Sequence, residues 1–246
     1  MKIRYPYSKQ SISEKDIKAV IKTLRSDLIT QGTEVESLEK KISNILGAKY
    51  AVIVNSGTAA LHISYHLLSV KKNRGIITSP LTFLSTANAA ALLNAPVYFT
   101  DVNEETGLMT KETLLQSIEK SKPQHGVVVP VHLGGKACDM VNISLEARKR
   151  GYKIIEDASH APLAEYSDNK GVKYKVGACK HSDITILSMH AIKHIAMGEG
   201  GVILTNNKFY AQEAKMLRSH GIIRDQKQWK GSAAIKNAPW YYEMHN

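Results

Sequence analysis

Cysteine is scarce. The chain has two, Cys138 and Cys179, and their spacing fits neither a metal-ligand pattern nor a disulfide framework. Long apolar runs are absent as well. No stretch reaches the length needed to span a bilayer. The start, Met1-Lys2-Ile3-Arg4-Tyr5-Pro6-Tyr7, has no apolar segment of signal-peptide type. There is no internal repeat, no low-complexity segment and no linker marking a second domain. These absences argue against a stapled secreted scaffold, a membrane-spanning chain and a repeat array, and lead to the expectation of a soluble, cytoplasmic protein. Acidic residues are outnumbered. Asp and Glu total 22 against 33 Lys and Arg, a formal net charge of +11. A basic nucleic-acid-binding domain is one reading of that balance. However, the lysines are spread along the chain in short runs such as Lys71-Lys72, without a zinc finger, ribonucleoprotein motif or helix-turn-helix pairing. The expectation is therefore no nucleic-acid partner. A solvated basic surface, or a field suited to a phosphorylated cofactor and an anionic substrate, fits the charge.

What is present is an α/β pattern. The length of 246 residues suits one large domain or two small ones, and 43% hydrophobic residues supply a core. Ser13-Glu14-Lys15-Asp16 has capping-box spacing ahead of a helical pattern through Ile17, Val20, Ile21 and Leu24. A loop, Asp27 to Gly32, precedes a second amphipathic stretch from Glu34 to Leu46 that Gly47 stops. Strands are expected at Tyr50–Val54, Gly75–Thr78, Pro96–Phe99, Gly126–Val131, Tyr152–Asp157, Ile184–Leu187 and Val202–Leu204. Helices are expected after Asn55-Ser56-Gly57-Thr58, at Ser85–Leu93, Lys111–Ser121 and Met140–Arg150. The alternation predicts a mainly parallel, doubly wound sheet, and ligands of such sheets sit beyond the carboxyl ends of the strands. Gly57, Thr58, Phe83, Asp157, His160 and Ser188 stand at those ends and converge with Lys193. The last segment, Gly221 to Asn246, is polar and irregular.

Five of these positions carry a common chemistry. Lys193 lies on a glycine-rich loop between two apolar strands, where an amine can form a Schiff base with an aldehyde. Gly57 and Thr58 open a helix directly after a strand, where free N–H groups and the macrodipole favour phosphate. Asp157, ending a strand, can oppose a pyridine nitrogen, and Phe83 can lie against a flat ring. Taken singly, each has a plain structural account: a solvated lysine, a tight turn, a strand-end cap, a core aromatic, and for His160 a satisfied structural histidine. Together they describe a site for an aldehyde cofactor bearing a phosphate and a pyridine ring.

The motifs Asn55-Ser56-Gly57-Thr58-Ala59-Ala60-Leu61, Pro80-Leu81-Thr82-Phe83, Glu156-Asp157-Ala158-Ser159-His160-Ala161, Ser188-Met189-His190 through Lys193, Gly198-Glu199-Gly200-Gly201 and Arg218-Ser219-His220-Gly221 occur in this order. In them the chain resembles the DegT/DnrJ/EryC1/StrS sugar aminotransferases. The resemblance implies the fold-type-I architecture of pyridoxal 5'-phosphate (PLP) enzymes and a homodimer. It implies Lys193 as the catalytic Schiff-base lysine, Asp157 at the ring nitrogen, His160 near the ring hydroxyl, Phe83 over the ring, and Gly57, Thr58 and Ser188 at the phosphate. It also implies that Tyr7 and the loop Asp27, Leu28, Ile29 and Thr30 meet a nucleotide-sugar. The segments Tyr7-Ser8-Lys9-Gln10, Ser26 to Gly32, Gly135 to Met140 and Pro239 to Met244 resemble a subgroup that aminates C4 of a UDP-linked 4-keto-6-deoxy-N-acetylhexosamine with glutamate as donor. A dehydrating branch carries histidine in place of the lysine, so Lys193 favours transamination.

Two departures accompany the resemblance. Met189 stands where the family usually has phenylalanine. The chain also stops before the family's glycine-asparagine-arginine segment and most of its small domain, so the expectation is a C-terminally truncated chain. The expected division is an N-terminal segment over residues 1–32, a PLP-binding large domain over 33–220 and an irregular tail over 221–246. A non-catalytic remnant that still binds PLP is the alternative.

Overall fold

The fold was obtained as a computed structural model that describes residues 8–121, 126–223, 227, 229–231 and 241–244. Seven strands form one sheet. They are β1 (Tyr50–Val54), β2 (Ile76–Thr78), β3 (Val97–Phe99), β4 (Val127–Val129), β5 (Lys153–Asp157), β8 (Ile184–Ser188) and β9 (Gly201–Thr205), with β6 (Glu165–Ser167) and β7 (Lys173–Lys175) making a separate hairpin. The order across the sheet is β1-β9-β8-β5-β4-β2-β3. From β8 to β3 every pairing is parallel, while β9 runs antiparallel to both β8 and β1. The expected mainly parallel sheet is present, and its one reversed strand is the strand after the lysine loop.

Helices cover both faces, as a buried parallel sheet requires. The period-two alternation of the strands decides which core each side chain joins. Ile77, Val128, Ile154 and Val202 point to one face, in a cluster with residues of α2 (Thr33–Leu46) and α6 (Met140–Lys149) and with Leu114 of α5 (Lys111–Ser121). Ile76, Val127, Val129, Ile155 and Ile203 point to the other, with residues of α3 (Gly57–Leu67), α4 (Ser85–Ala91) and α7 (Lys208–Arg218). On β5 the alternation continues past the hydrophobic residues, so Glu156 follows Ile154 to the first face and Asp157 follows Ile155 to the second.

The capping box predicted at Ser13 forms. Its hydroxyl accepts from the Asp16 amide, and the Asp16 carboxylate takes the Ser13 N–H at 2.7 Å, opening α1 (Glu14–Leu24). The apolar stripe of α1 is nonetheless exposed. Ile17, Val20, Ile21 and Leu24 all face outward, and no residue of the helix is buried. The hairpin β6–β7 and helix α7 were not anticipated from the sequence. Among the described residues beyond Gly221 there is a two-residue antiparallel pairing of β10 (Ile222–Ile223) with β11 (Glu243–Met244).

Helix α7 is fixed by charge as well as by its apolar face. Glu39 on α2 is only 6% exposed. Its carboxylate accepts from the Ile53 amide at 3.1 Å and from Arg218 Nη1 at 2.5 Å, and Lys215 Nζ lies 3.3 Å away. The same Arg218 nitrogen donates to the Ile53 carbonyl at 3.0 Å, so one guanidinium ties α7 to α2 and β1. Arg218→Ala strips this carboxylate of its best partner. Breaking a buried pair in this way costs about 3–5 kcal/mol, and a loss near that size is expected in urea unfolding monitored by circular dichroism.

Candidate active site

The cavity of interest opens at the carboxyl ends of the parallel strands. It measures about 310 Å³, within the range of small-molecule sites. Of the residues proposed from sequence, Gly57, Thr58, Phe83, Asp157, His160, Ser188 and Lys193 all line it. Asp27, Leu28, Ile29 and Thr30 do not. They occupy an exposed loop between α1 and α2. Tyr7 lies outside the described residues.

One wall is the start of α3. The chain leaves β1 at Val54 and turns through Asn55 to Ser56, whose extended backbone and side chain cap the helix by accepting the Ala59 N–H at 3.0 Å. The first N–H groups of any helix lack intrahelical acceptors, and here they belong to Gly57 and Thr58. Gly57 must be glycine for a packing reason. A Cβ there would stand 2.9 Å from Ser188 Cβ. Gly201 is tighter still, since a Cβ would meet the Ser56 carbonyl oxygen at 2.2 Å. The first residue of β9 therefore presses directly on the peptide that begins the helix. The chain can deliver backbone donors, a serine hydroxyl and a helix N-terminus to one point.

The opposite wall belongs to β5. Asp157 is 4% exposed, yet both its oxygens are satisfied. Oδ1 accepts from the Ser159 amide at 3.1 Å, and Oδ2 accepts from the Thr86 hydroxyl at 2.8 Å. Its neighbour Glu156 is 1% exposed on the other side of the sheet. There it accepts from the Thr185 hydroxyl at 3.0 Å and from the Ser182 hydroxyl, and it lies 3.1 Å from His132 Nε2. The Cys138 amide donates to His132 Nδ1 at 3.0 Å, so Nε2 carries the hydrogen that meets Glu156. The backbone of His132 also donates to the Asp157 carbonyl at 3.0 Å. Burial, reinforced by Glu156, pushes the Cys179 thiol up to about 12, which keeps it protonated and unreactive.

Lys193 rides on the loop between β8 and β9. The loop is closed like a hairpin. Met189 donates to the Gly200 carbonyl at 2.8 Å, Met197 to Met189 at 2.9 Å and Ala191 to Gly198 at 3.0 Å. The Lys193 amide donates back to the His190 carbonyl at 2.9 Å, which turns the side chain into the cavity. Partial burial lowers its pKa, and Asp157 opposes the shift by attracting the ammonium. His160 is lowered as well, first by burial and then by the charge of Lys193. Burial thus disfavours the charged forms of both groups. The Gly134 amide makes a long 3.4 Å contact with His160 Nδ1. Phe83 lines the mouth and is 63% exposed.

Sequence reasoning missed Thr86, Ser56 and Ser159, and the whole buried set around Glu156. Ser56 could have been found as a cap, because it precedes a helix and stands three residues before Ala59. Thr86 lies in the first turn of α4 among small residues, and only its partner across the sheet reveals its use.

The residues present suit a PLP-sized ligand: a glycine-lined helix N-terminus for an anion, a buried and fully hydrogen-bonded carboxylate, and an amine in the same cavity. The comparisons agree. The chain is 37% identical over 218 residues to a UDP-4-amino-4,6-dideoxy-N-acetyl-beta-L-altrosamine transaminase of Campylobacter jejuni, a match covering 89% of this chain and 56% of that protein. It is 35% identical over 241 residues to the spore coat polysaccharide biosynthesis protein SpsC of Bacillus subtilis, covering 98% of this chain and 58% of that one. Among solved structures, Helicobacter pylori PseC, an aminotransferase involved in the biosynthesis of pseudoaminic acid, superposes with a TM-score of 0.81 at 27% identity, over 98% of this chain and 60% of that one. The chain thus spans under three fifths of the length of both curated relatives. Aminotransferases of this kind are PLP-dependent enzymes with the fold-type-I architecture. The family profile matches residues 10–238, and the chain belongs to the DegT/DnrJ/EryC1/StrS aminotransferase family.

Proposed function

We propose that this chain holds PLP and serves an aminotransferase that moves the amino group of glutamate to C4 of a UDP-linked 4-keto-6-deoxy-N-acetylhexosamine. Glutamate would leave as 2-oxoglutarate and the keto-sugar as an amino-sugar, so one nitrogen changes carbon with no net redox change. Such a product feeds a surface or flagellar sugar, as pseudaminic acid biosynthesis does, and the expected setting is cytoplasmic. The observation that carries the reading is the sharing of one cavity by Lys193, Asp157 and the start of α3.

When bound, PLP supplies an aldehyde that condenses with an amine and a pyridinium ring that draws electrons from the reacting carbon. The N–H groups of Gly57 and Thr58 and the Ser188 hydroxyl would receive the phosphate. The Asp157 carboxylate would keep the ring nitrogen protonated, and His160 would hydrogen-bond the ring hydroxyl. Phe83 would cover one ring face and exclude water from it. Lys193 Nζ would anchor the cofactor and, once released, would carry the proton from Cα of the donor. Contacts from Tyr7 and from Asp27 to Thr30 to the nucleotide-sugar, and the division at residues 32 and 220, are carried by the family resemblance. A homodimer is favoured by the exposed apolar residues at the mouth, among them Phe83 and Ile192.

The reading is tested by trapping. Purified protein incubated with PLP, reduced with borohydride and digested is expected to carry one pyridoxyl adduct, on Lys193, by mass spectrometry. Lys193→Ala should carry none, and an adduct that persists in the variant would overturn the assignment. The capture rate should also rise with pH and level off below the pH at which a free N-acetyl-lysine amide does. Burial disfavours the Lys193 ammonium, so the reactive free amine accumulates at lower pH. Transfer of ¹⁵N from labelled glutamate to the keto-sugar would establish the full reaction. Capture on Lys193 without transfer would make this polypeptide a cofactor-binding remnant.

A further inference from the structure

A line of hydroxyl groups crosses the core where apolar side chains would fit equally well. Tyr65 and Thr86 are both 0% exposed. Tyr65 belongs to the apolar cluster that holds Ala60, Leu61, Ala89 and Ala90, and Thr86 is buried on the same helix as Ala89 and Ala90. Phenylalanine and valine would fill the same volumes without the cost of burying oxygen. The polarity is explained by what it reaches. The Tyr65 hydroxyl, on α3, donates to the Thr86 carbonyl on α4 at 2.7 Å. The Thr86 hydroxyl donates to Asp157 Oδ2 at 2.8 Å. Its single proton is thereby used, so in its 2.8 Å contact with Thr82 the Thr82 hydroxyl is the donor. Burial, reinforced by the nearby Asp157, holds the Tyr65 phenol well above its ordinary value, which keeps it a donor.

We propose that Thr86, clamped by Tyr65, is a positioning residue that fixes the Asp157 carboxylate relative to the start of α3. Tyr65 and Gly57 belong to one rigid helix, about 12 Å apart along its axis. Through Thr86 that helix reaches the carboxylate, so the end that would receive a phosphate and the group that would meet a ring nitrogen share one frame. The inference rests on the PLP reading of Asp157 given above.

The test is a double-mutant cycle on PLP affinity, measured by equilibrium dialysis of the purified chain, with melting of the PLP-free protein as control. A hydrogen bond to a charged group is worth enough that Thr86→Val should weaken PLP binding by roughly tenfold to a hundredfold. Thr86→Ser keeps the hydroxyl and should stay within about threefold of wild type. In an Asp157→Ala background, Thr86→Val should change affinity by less than about threefold, because the group it acts through is gone. A merely structural role would instead give losses that multiply in that background, with no rescue by serine, and either result overturns the proposal. Should Thr86→Val fail to fold, Tyr65→Phe runs the same cycle with an expected loss of roughly threefold to tenfold for a neutral hydrogen bond. Wild-type capture of PLP on Lys193 with no effect of either variant would sink this inference and leave the cofactor reading standing. No capture by the wild type at all would sink both.

Discussion

Two consecutive carboxylates end a buried strand, and each must find donors on its own side of the sheet. That constraint organises much of the structure. An unpaired buried carboxylate costs far more than one hydrogen bond returns. Glu156 is met by His132, Ser182 and Thr185 on one face, and Asp157 by Thr86 and Ser159 on the other. The two sets come from five different segments: the turn after β4, the first turn of α4, the residues after β5, the approach to β8 and β8 itself. Strand order and register follow in part from the need to bring these donors to one strand end. His132 takes part on both counts, with its ring toward Glu156 and its backbone N–H on the Asp157 carbonyl.

Close approach to glycine backbone is the complementary constraint. Gly201 against the Ser56 carbonyl and Gly57 against Ser188 leave no room for a Cβ at either place. These contacts weld the start of α3 to the ends of β8 and β9. The loop carrying Lys193 leaves from that weld and returns to it. Lys193 is therefore brought to the same cavity as the helix N-terminus by close packing around glycine, while the carboxylate is placed by side-chain hydrogen bonds.

Most of the scaffold was readable from the sequence because its signals are local. Val127-Val128-Val129 and Ile184 to Leu187 announce buried strands, Gly47 ends α2 in a left-handed conformation, and Ser13 with Asp16 caps α1. Gly57, Thr58, Phe83, Asp157, His160 and Ser188 were readable for the same reason, since each stands at or just beyond the end of a strand. What was not legible depends on partners distant in the chain. Thr86 is 71 residues from Asp157, and Arg218 is 179 from Glu39. Nothing in a run of small residues such as Ser85 to Ala91 distinguishes the one hydroxyl that holds a carboxylate from its neighbours. The exposed stripe of α1 illustrates the reverse. Its period predicts a buried face, but burial needs a partner surface, and among the described residues none covers it.

The reversed direction of β9 has a consequence of another kind. Because β8 and β9 run antiparallel, the segment between them starts and finishes at the same edge of the sheet, with both ends pinned. A connection of that type tolerates insertion, deletion and resequencing at its tip without disturbing the strands, as loop closure is only weakly dependent on length. A parallel crossover at this point would have threaded the lysine through a helix and tied its surroundings to core packing. The scaffold instead leaves the neighbourhood of Lys193 as a replaceable module. Descendants of one ancestor can then diversify what they accept while inheriting an unaltered core.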